Sequence, residues 1–305
     1  MDTKLFFDQV EPATILGKAC YAVVGNPIGH SQSPWIHQRY AEQTAQAMYY
    51  GRMQPSLDQF HLHAQAFFQQ GGQGLSVTVP FKLEACAFAK QLTPRAQLAG
   101  AVNTLWQDGG QIYGDNTDGV GLVRDLVAQG IVLKEMKILI LGAGGAARGI
   151  IGPLLAEGPV AVMVANRSLG KAKQLAILFG ALAQSVGATL RAESIADLET
   201  QASAGTLSQF DLVINATAAS LDVLSPLSNH LAAQLFQPRT FAYDLVYGKP
   251  TPFMQQALQH GSRVSDGLGM LVEQAAAAFT IWRGATLSSA INPRQVLAEL
   301  RHALA

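Results

Sequence analysis

Short apolar runs alternate along the chain with amphipathic stretches, the grammar of an α/β protein built on a mainly parallel sheet. Residues 20–25 (CYAVVG) predict a strand that ends at Gly25. The loop NPIGHSQSP follows, and Pro34 suits the first turn of a helix over 34–42, because that turn has no use for the N–H that proline lacks. Residues 74–79 (GLSVTV) predict a second strand, closed by Pro80, with a helix over 81–90. Runs 101–106 (AVNTLW) and 111–114 (QIYG), separated by Asp108-Gly109-Gly110, predict a hairpin. These elements make a first α/β domain of residues 1–117.

A helix over 118–129 leads to a short apolar strand at 137–141 (KILIL). Strand patterns recur at 160–165 (VAVMVA), 211–215 (DLVIN) and 240–245 (TFAYDL), with helical patterns between them, so residues 118–267 form a second α/β domain. Residues 268–305 are helical in character, with no strand pattern. A helical tail has no core of its own, so it is expected to pack back on the first domain.

Composition narrows the function classes. The chain has 305 residues, is 49% hydrophobic and only 14% charged, which supports large cores and excludes a disordered protein. Lys plus Arg equal Asp plus Glu at 21 each, so the basic excess of a phosphate-gripping protein is missing and nucleic acid is not expected as a partner. Zero net charge leaves little colloidal repulsion, which is compatible with a homodimer. The two cysteines, Cys20 and Cys86, make neither a disulfide framework nor a CxxC metal spacing. No secretory pattern and no long apolar stretch is readable, so the expectation is a cytoplasmic protein without a membrane partner. Residues 1–20 receive no role.

The sharpest local chemistry follows KILIL. Gly142-Ala143-Gly144-Gly145-Ala146-Ala147 fits G-x-G-x-x-G/A between a strand and a helix, the context of a dinucleotide fingerprint. Gly142 allows the tight turn, and Gly144 lets backbone approach a pyrophosphate at the helix N-terminus. The next strand ends in Asn166-Arg167-Ser168, with Lys171 shortly after. A carboxylate there would suit the ribose of NAD, whereas a guanidinium binds a 2′-phosphate, so this end favours NADP.

A polar set collects at strand ends and helix starts of the first domain: Ser31, Ser33, Thr78, Lys82, Asn103, Thr104, Asn116, Thr117 and Asp118. Strand ends border the ligand crevice in open α/β sheets. The serines can equally cap a helix, and Asp118 can be an ordinary first-turn carboxylate. His61 and His63 are expected to face solvent rather than a metal, and no GxSxG nucleophile turn occurs.

Nine motifs in order carry a family resemblance: GNPIGHSQSP with His37 (25–37), VTVPFK (77–82), GAVNTL (100–105), DNTDGVG (115–121), LGAGGAARG (141–149), ANRSLGKA (165–172), INAT (214–217), AYDLVYGKPTPF (242–253) and DGLGMLVEQA (266–275). With these the chain closely resembles the shikimate dehydrogenases. The resemblance implies a substrate domain at 1–117, a Rossmann-like NADP domain at 118–267, and C-terminal helices (268–305) returning to the substrate domain. It implies reversible NADPH-dependent reduction of 3-dehydroshikimate to shikimate. Lys82 and Asp118 would be the catalytic pair. Ser31 and Ser33, assisted by Tyr247, would bind the substrate carboxylate, and Thr78, Asn103 and Gln274 its ring hydroxyls. Gly142, Ala143, Gly144, Gly145 and Ala146 would hold the pyrophosphate, Asn166, Arg167 and Lys171 the 2′-phosphate, and Gly267 would lie near the nicotinamide. No metal is implied. A quinate/shikimate dehydrogenase of relaxed cofactor choice and a non-catalytic NADP-binding relative are the alternatives. The first is disfavoured by Arg167, the second by the presence of both Lys82 and Asp118. Three places depart from the family's usual residues: Ser76 for Asn, Gln38 for Asn, and Ala218-Ala219-Ser220 after Thr217, where Ser and a nearby Gly are usual.

Overall fold

In the computed structural model, which describes residues 5–217 and 224–304, the chain divides into Met1–Gly121 with Leu271–Ala305, and Leu122–Met270. The Ala218-Ala219-Ser220 departure lies outside the described residues.

The first unit is built on β1 (Ala19–Val24), β2 (Met48–Met53), β3 (Gly74–Val77), β4 (Gln91–Leu92), β5 (Thr104–Asp108) and β6 (Gln111–Asp115), in the order β2-β1-β3-β5-β6-β4. Strands β2, β1 and β3 run parallel, while β5 and β6 form an antiparallel hairpin beside β3. Helices α1 (Pro12–Ile15), α2 (Ser33–Gln43), α3 (Phe60–Gln69), α4 (Lys82–Phe88) and α5 (Pro94–Ala99) lead into or connect them, and α6 (Asp118–Ala128) starts in this unit and continues into the second from Leu122. Phe60, Phe67, Leu75, Val77, Phe81 and Leu105 fill the core under this sheet. Phe60 stacks on Phe81 with ring centroids 5.3 Å apart, which fixes the start of α4 immediately before Lys82.

Residues 5–18 find a structural place here. Phe6 is buried and meets Phe67 edge-on at 5.2 Å. Gly51 makes room for it, since a Cβ there would stand 2.6 Å from the Phe6 ring. The expectation that His63 faces solvent is corrected: it lies inside α3 and its ring is buried. Burial lowers its pKa by disfavouring the charged ring.

The second unit carries β7 (Lys137–Leu141), β8 (Ala161–Asn166), β9 (Thr189–Ser194), β10 (Leu212–Asn215), β11 (Phe241–Asp244) and β12 (Arg263–Ser265). Their order is β12-β11-β10-β7-β8-β9 and every pairing is parallel. From β7 the chain winds outward through β8 and β9, then returns to β10 on the other side. That reversal is the topological switch point at which such sheets bind ligands. The helices are α7 (Gly145–Ala156), α8 (Leu169–Ser185), α9 (Ile195–Ser203), α10 (Asn229–Leu235) and α11 (Pro252–Gln259).

Helices α12 (Leu268–Arg283) and α13 (Pro293–Leu304) end the chain. The part of α12 beyond Met270 belongs to the first unit, where Trp282 Nε1 donates to the Leu105 carbonyl at 3.1 Å and Tyr40 Oη to the Val272 carbonyl at 3.0 Å.

Candidate active site

The first unit gathers its polar side chains at the ends of β3, β5 and β6. Thr78 follows β3, and the Phe81 N–H donates to the Thr78 carbonyl at 2.9 Å, so one tight turn delivers both Thr78 and Lys82. Lys82 Nζ donates to Asp118 Oδ2 at 2.5 Å. Both side chains are largely withdrawn from water, at 14% and 6% exposure. The other carboxylate oxygen, Oδ1, accepts from Asn103 Nδ2 at 2.8 Å. The same amide nitrogen reaches Thr117 Oγ1 at 2.9 Å and Gln274 Oε1 at 3.2 Å. Asn103 Oδ1 accepts from the Thr117 N–H and from Thr104 Oγ1, each at 2.8 Å. Lys82, Asn103, Asp118 and Gln274 thus form one hydrogen-bonded cluster, with Thr78 one turn of chain away from Lys82.

Three residues that support this cluster, Asp115, Arg95 and Thr93, carried no individual sequence signal. Asp115 is buried at the end of β6, where Arg95 grips its two oxygens at 2.7 and 2.6 Å and Thr93 Oγ1 donates at 2.6 Å. Its Oδ1 also accepts the Asn116 N–H at 2.7 Å. Asn116 Oδ1 in turn accepts the Asp118 N–H at 3.1 Å. The DNTDGVG motif held Asp115 and Asn116, but only the fold shows Arg95 and Thr93 meeting Asp115.

Ser31 and Ser33 are both buried at the start of α2. Ser31 Oγ accepts the Ser33 N–H at 3.3 Å and donates to Ser33 Oγ at 3.2 Å. Arg52 of β2 clasps the Ser31 carbonyl through Nη2 at 2.6 Å and Nε at 3.2 Å, which anchors the loop. Ser33 Oγ has no backbone group to cap, so helix capping does not account for it. The family departure at Gln38 is a surface matter: it is exposed and donates to Glu42 at 3.1 Å.

In the second unit the fingerprint sits between β7 and α7. Gly142 has φ +111°, and a Cβ there would stand 2.9 Å from the Ala216 carbonyl oxygen, so glycine is required. Gly144 caps α7 without any side-chain hydrogen bond, and the space where its Cβ would lie is open. First-turn N–H groups therefore face outward with room for an anion between Ala143 and Ala146. Asn166 closes β8, with its Nδ2 donating to the Ser168 carbonyl at 3.0 Å. Arg167 and Lys171 are exposed beside it, and no carboxylate stands among residues 165–172. This donor set fits a dinucleotide bearing a 2′-phosphate. Gly267 is packed so closely on Leu245 that a Cβ would fall on that residue's carbonyl. Tyr247, half-buried after β11, also belongs to this unit.

Among the described residues no three His, Cys, Asp or Glu side chains are placed to hold a metal ion, and no helix is long and apolar enough to cross a membrane.

Three family models match the chain: the shikimate dehydrogenase substrate binding domain over residues 23–105, shikimate / quinate 5-dehydrogenase over 125–246, and the shikimate 5′-dehydrogenase C-terminal domain over 267–288. The chain is 50% identical over 283 residues to the shikimate dehydrogenase (NADP(+)) of Herminiimonas arsenicoxydans, covering 92% of this chain and 96% of that one. Among solved structures it is similar to an enzyme of Pseudomonas putida, at 40% identity and a TM-score of 0.78, covering 93% of this chain and 98% of that one. The shikimate 5-dehydrogenase of Thermus thermophilus in complex with NADP(H) and shikimate is 32% identical with a TM-score of 0.74, covering 91% and 99%.

Proposed function

The chain belongs to the shikimate dehydrogenase family, and from that premise we propose how its own side chains divide the work. It is an NADP-dependent oxidoreductase that reduces 3-dehydroshikimate to shikimate, reversibly, on the route to aromatic amino acids. NADPH supplies the hydride that the ketone carbon accepts.

The proton is the protein's task. Lys82 places an ammonium where negative charge develops on the ketone oxygen and delivers the proton there. Asp118 orients Lys82 through one oxygen and, with Asn103, presents hydrogen-bonding groups to a neighbouring ring hydroxyl. The observation that carries this reading is the single cluster of Lys82, Asp118, Asn103 and Gln274. Thr78, Asn103 and Gln274 bind ring hydroxyls, while Ser31, Ser33 and Tyr247 receive the carboxylate. The loop Gly142–Ala146 holds the pyrophosphate, Asn166, Arg167 and Lys171 hold the 2′-phosphate, and Gly267 borders the nicotinamide. In this reading residues 1–117 and 268–305 handle substrate and 118–267 handle NADP.

Two cysteines outside any disulfide suit a reducing compartment, which supports a cytoplasmic enzyme. Zero net charge supports a homodimer, which sedimentation would test. Turnover of shikimate and of quinate, each with NADP and with NAD, tests the whole reading. Shikimate with NADP is expected to be fastest, and equal or faster turnover with NAD would overturn the role given to Arg167.

A further inference from the structure

Behind the serine pair lies a group of buried polar atoms that the site above does not use. Tyr50 of β2, Ser76 of β3 and His37 of α2 are 8%, 6% and 0% exposed. Tyr50 Oη, Ser76 Oγ and both ring nitrogens of His37 are buried without a hydrogen-bond partner. Buried polar atoms are nearly always partnered, so several orphans at one place call for an explanation. The His37 ring stacks flat on Tyr50, with centroids 4.3 Å apart and planes within 6°. Burial holds His37 neutral by lowering its pKa to about 3, so it locks the tyrosine ring without bringing a charge. The hydroxyls of Ser76 and Ser33 pull the Tyr50 phenol's pKa down, against the larger upward push of burial.

We propose that Tyr50 is a positioning residue for the carboxylate subsite, acting through Ser33; this rests on the assignment of Ser31 and Ser33 to the substrate carboxylate. As the site stands, Ser31 spends its hydroxyl proton on Ser33 Oγ. An arriving carboxylate can only accept, so both serines must turn their O–H groups towards it. Ser33 Oγ then loses the donor it had. Tyr50 Oη is a buried donor without a hydrogen-bond partner, and Ser33 is one of the two hydroxyls that act on it. The tyrosine O–H takes the place of Ser31 and holds Ser33 aimed at the anion, in a chain from Tyr50 to Ser33 to carboxylate. Such chains strengthen each member. The device favours an anionic acceptor over a neutral ring substituent at that corner of the substrate.

Tyr50→Phe removes the hydroxyl and keeps the ring against His37. The Michaelis constant for shikimate should rise roughly two- to twelve-fold, the worth of one neutral hydrogen bond. Turnover at saturation and the Michaelis constant for NADP should stay as in the wild type. Thermal stability should be equal or higher, because an unpartnered buried hydroxyl has gone. In a Ser33→Ala background the same substitution should have no further effect on the shikimate constant. An unchanged shikimate constant in Tyr50→Phe, with Ser33→Ala raising it, would overturn the role of Tyr50 alone. Equal effects of Tyr50→Phe with and without Ser33 would overturn the chain. An unchanged constant in Ser33→Ala would overturn the carboxylate assignment, and the proposal with it.

Discussion

Asp118 receives Lys82 on one carboxylate oxygen at 2.5 Å and leaves the other to the amide of Asn103 at 2.8 Å. The carboxylate therefore cannot rotate without breaking a bond on either side, and the ammonium is fixed with it. Sequence distance makes this arrangement costly to assemble: 36 residues separate Lys82 from Asp118. The pair is drawn together by buried anchors at both ends, Phe81 before the lysine and the Arg95–Asp115 clamp before the aspartate.

Lys82→Ala should cut turnover by roughly 10²–10⁴-fold, the usual worth of general acid–base assistance, while NADP affinity and the fold survive. Asp118→Asn should also be slow, because the amide keeps the shape but loses the charge that orients the ammonium. The double variant should be little worse than the slower single, since groups acting as one unit are not additive. Saturating-substrate turnover of the three variants decides it. Near-normal rates in Lys82→Ala would remove the lysine from the chemistry, and multiplicative losses would show two independent groups.

Arg167→Ala should raise the Michaelis constant for NADP and leave turnover at saturation nearly unchanged. The guanidinium is exposed at the end of β8, remote from Lys82 in the chain, and its phosphate contact is worth about 1.5–3 kcal/mol. Initial rates with NADP and NAD side by side provide the control, because the NAD constant should not move. A loss with both cofactors would point to the loop's shape rather than to its charge.

Gly267→Ala tests whether the close approach of Gly267 to Leu245 is structural. The Gly267 N–H donates to the Val246 carbonyl at 3.1 Å, so the glycine is bound to the segment after β11 that it crowds. A Cβ meets backbone rather than a movable side chain, so the chain itself must shift. Overpacking of this kind costs about 1–3 kcal/mol. Chemical denaturation should show that loss, and a wild-type midpoint would mean the segment yields freely.

How far the sequence could be read depended on where each element sits in its sheet. The strands signalled by apolar runs, such as KILIL and VAVMVA, are β7 and β8, with cores on both faces. The strands without a sequence signal are β2, β4, β9 and β12, and they are the four sheet edges. Edges face water on one side, so β9 reads TLRAES, β12 has three residues and β4 two. The site residues were legible because they sit in short motifs at strand ends, where the chain is locally constrained. Arg95 was not, since its meaning lies in a contact 20 residues away. Nor could the pattern show that His37, between exposed Gln38 and buried Ile36, would lie wholly inside.

That burial of His37 has a measurable consequence in acid. Its pKa falls from 6.5 to about 3 on folding because the ring is fully desolvated and neither nitrogen has a partner. Between those two values the unfolded chain binds a proton that the folded protein refuses. Stability from this group is therefore complete above pH 6.5 and is lost as pH falls towards about 3, at about 1.4 kcal/mol per pH unit. From pH 7 to pH 5 the loss amounts to about 2 kcal/mol. His37→Phe keeps a flat ring against Tyr50 and cannot take a proton. Its absolute stability can differ through packing, so the slope is the quantity to compare. Urea unfolding of both proteins at pH 7, 6 and 5 should show the wild type losing about 2 kcal/mol more than the variant across that range. Parallel losses would mean that His37 finds a partner for its proton when folded, and that the stacked ring is not the neutral plate the geometry makes it.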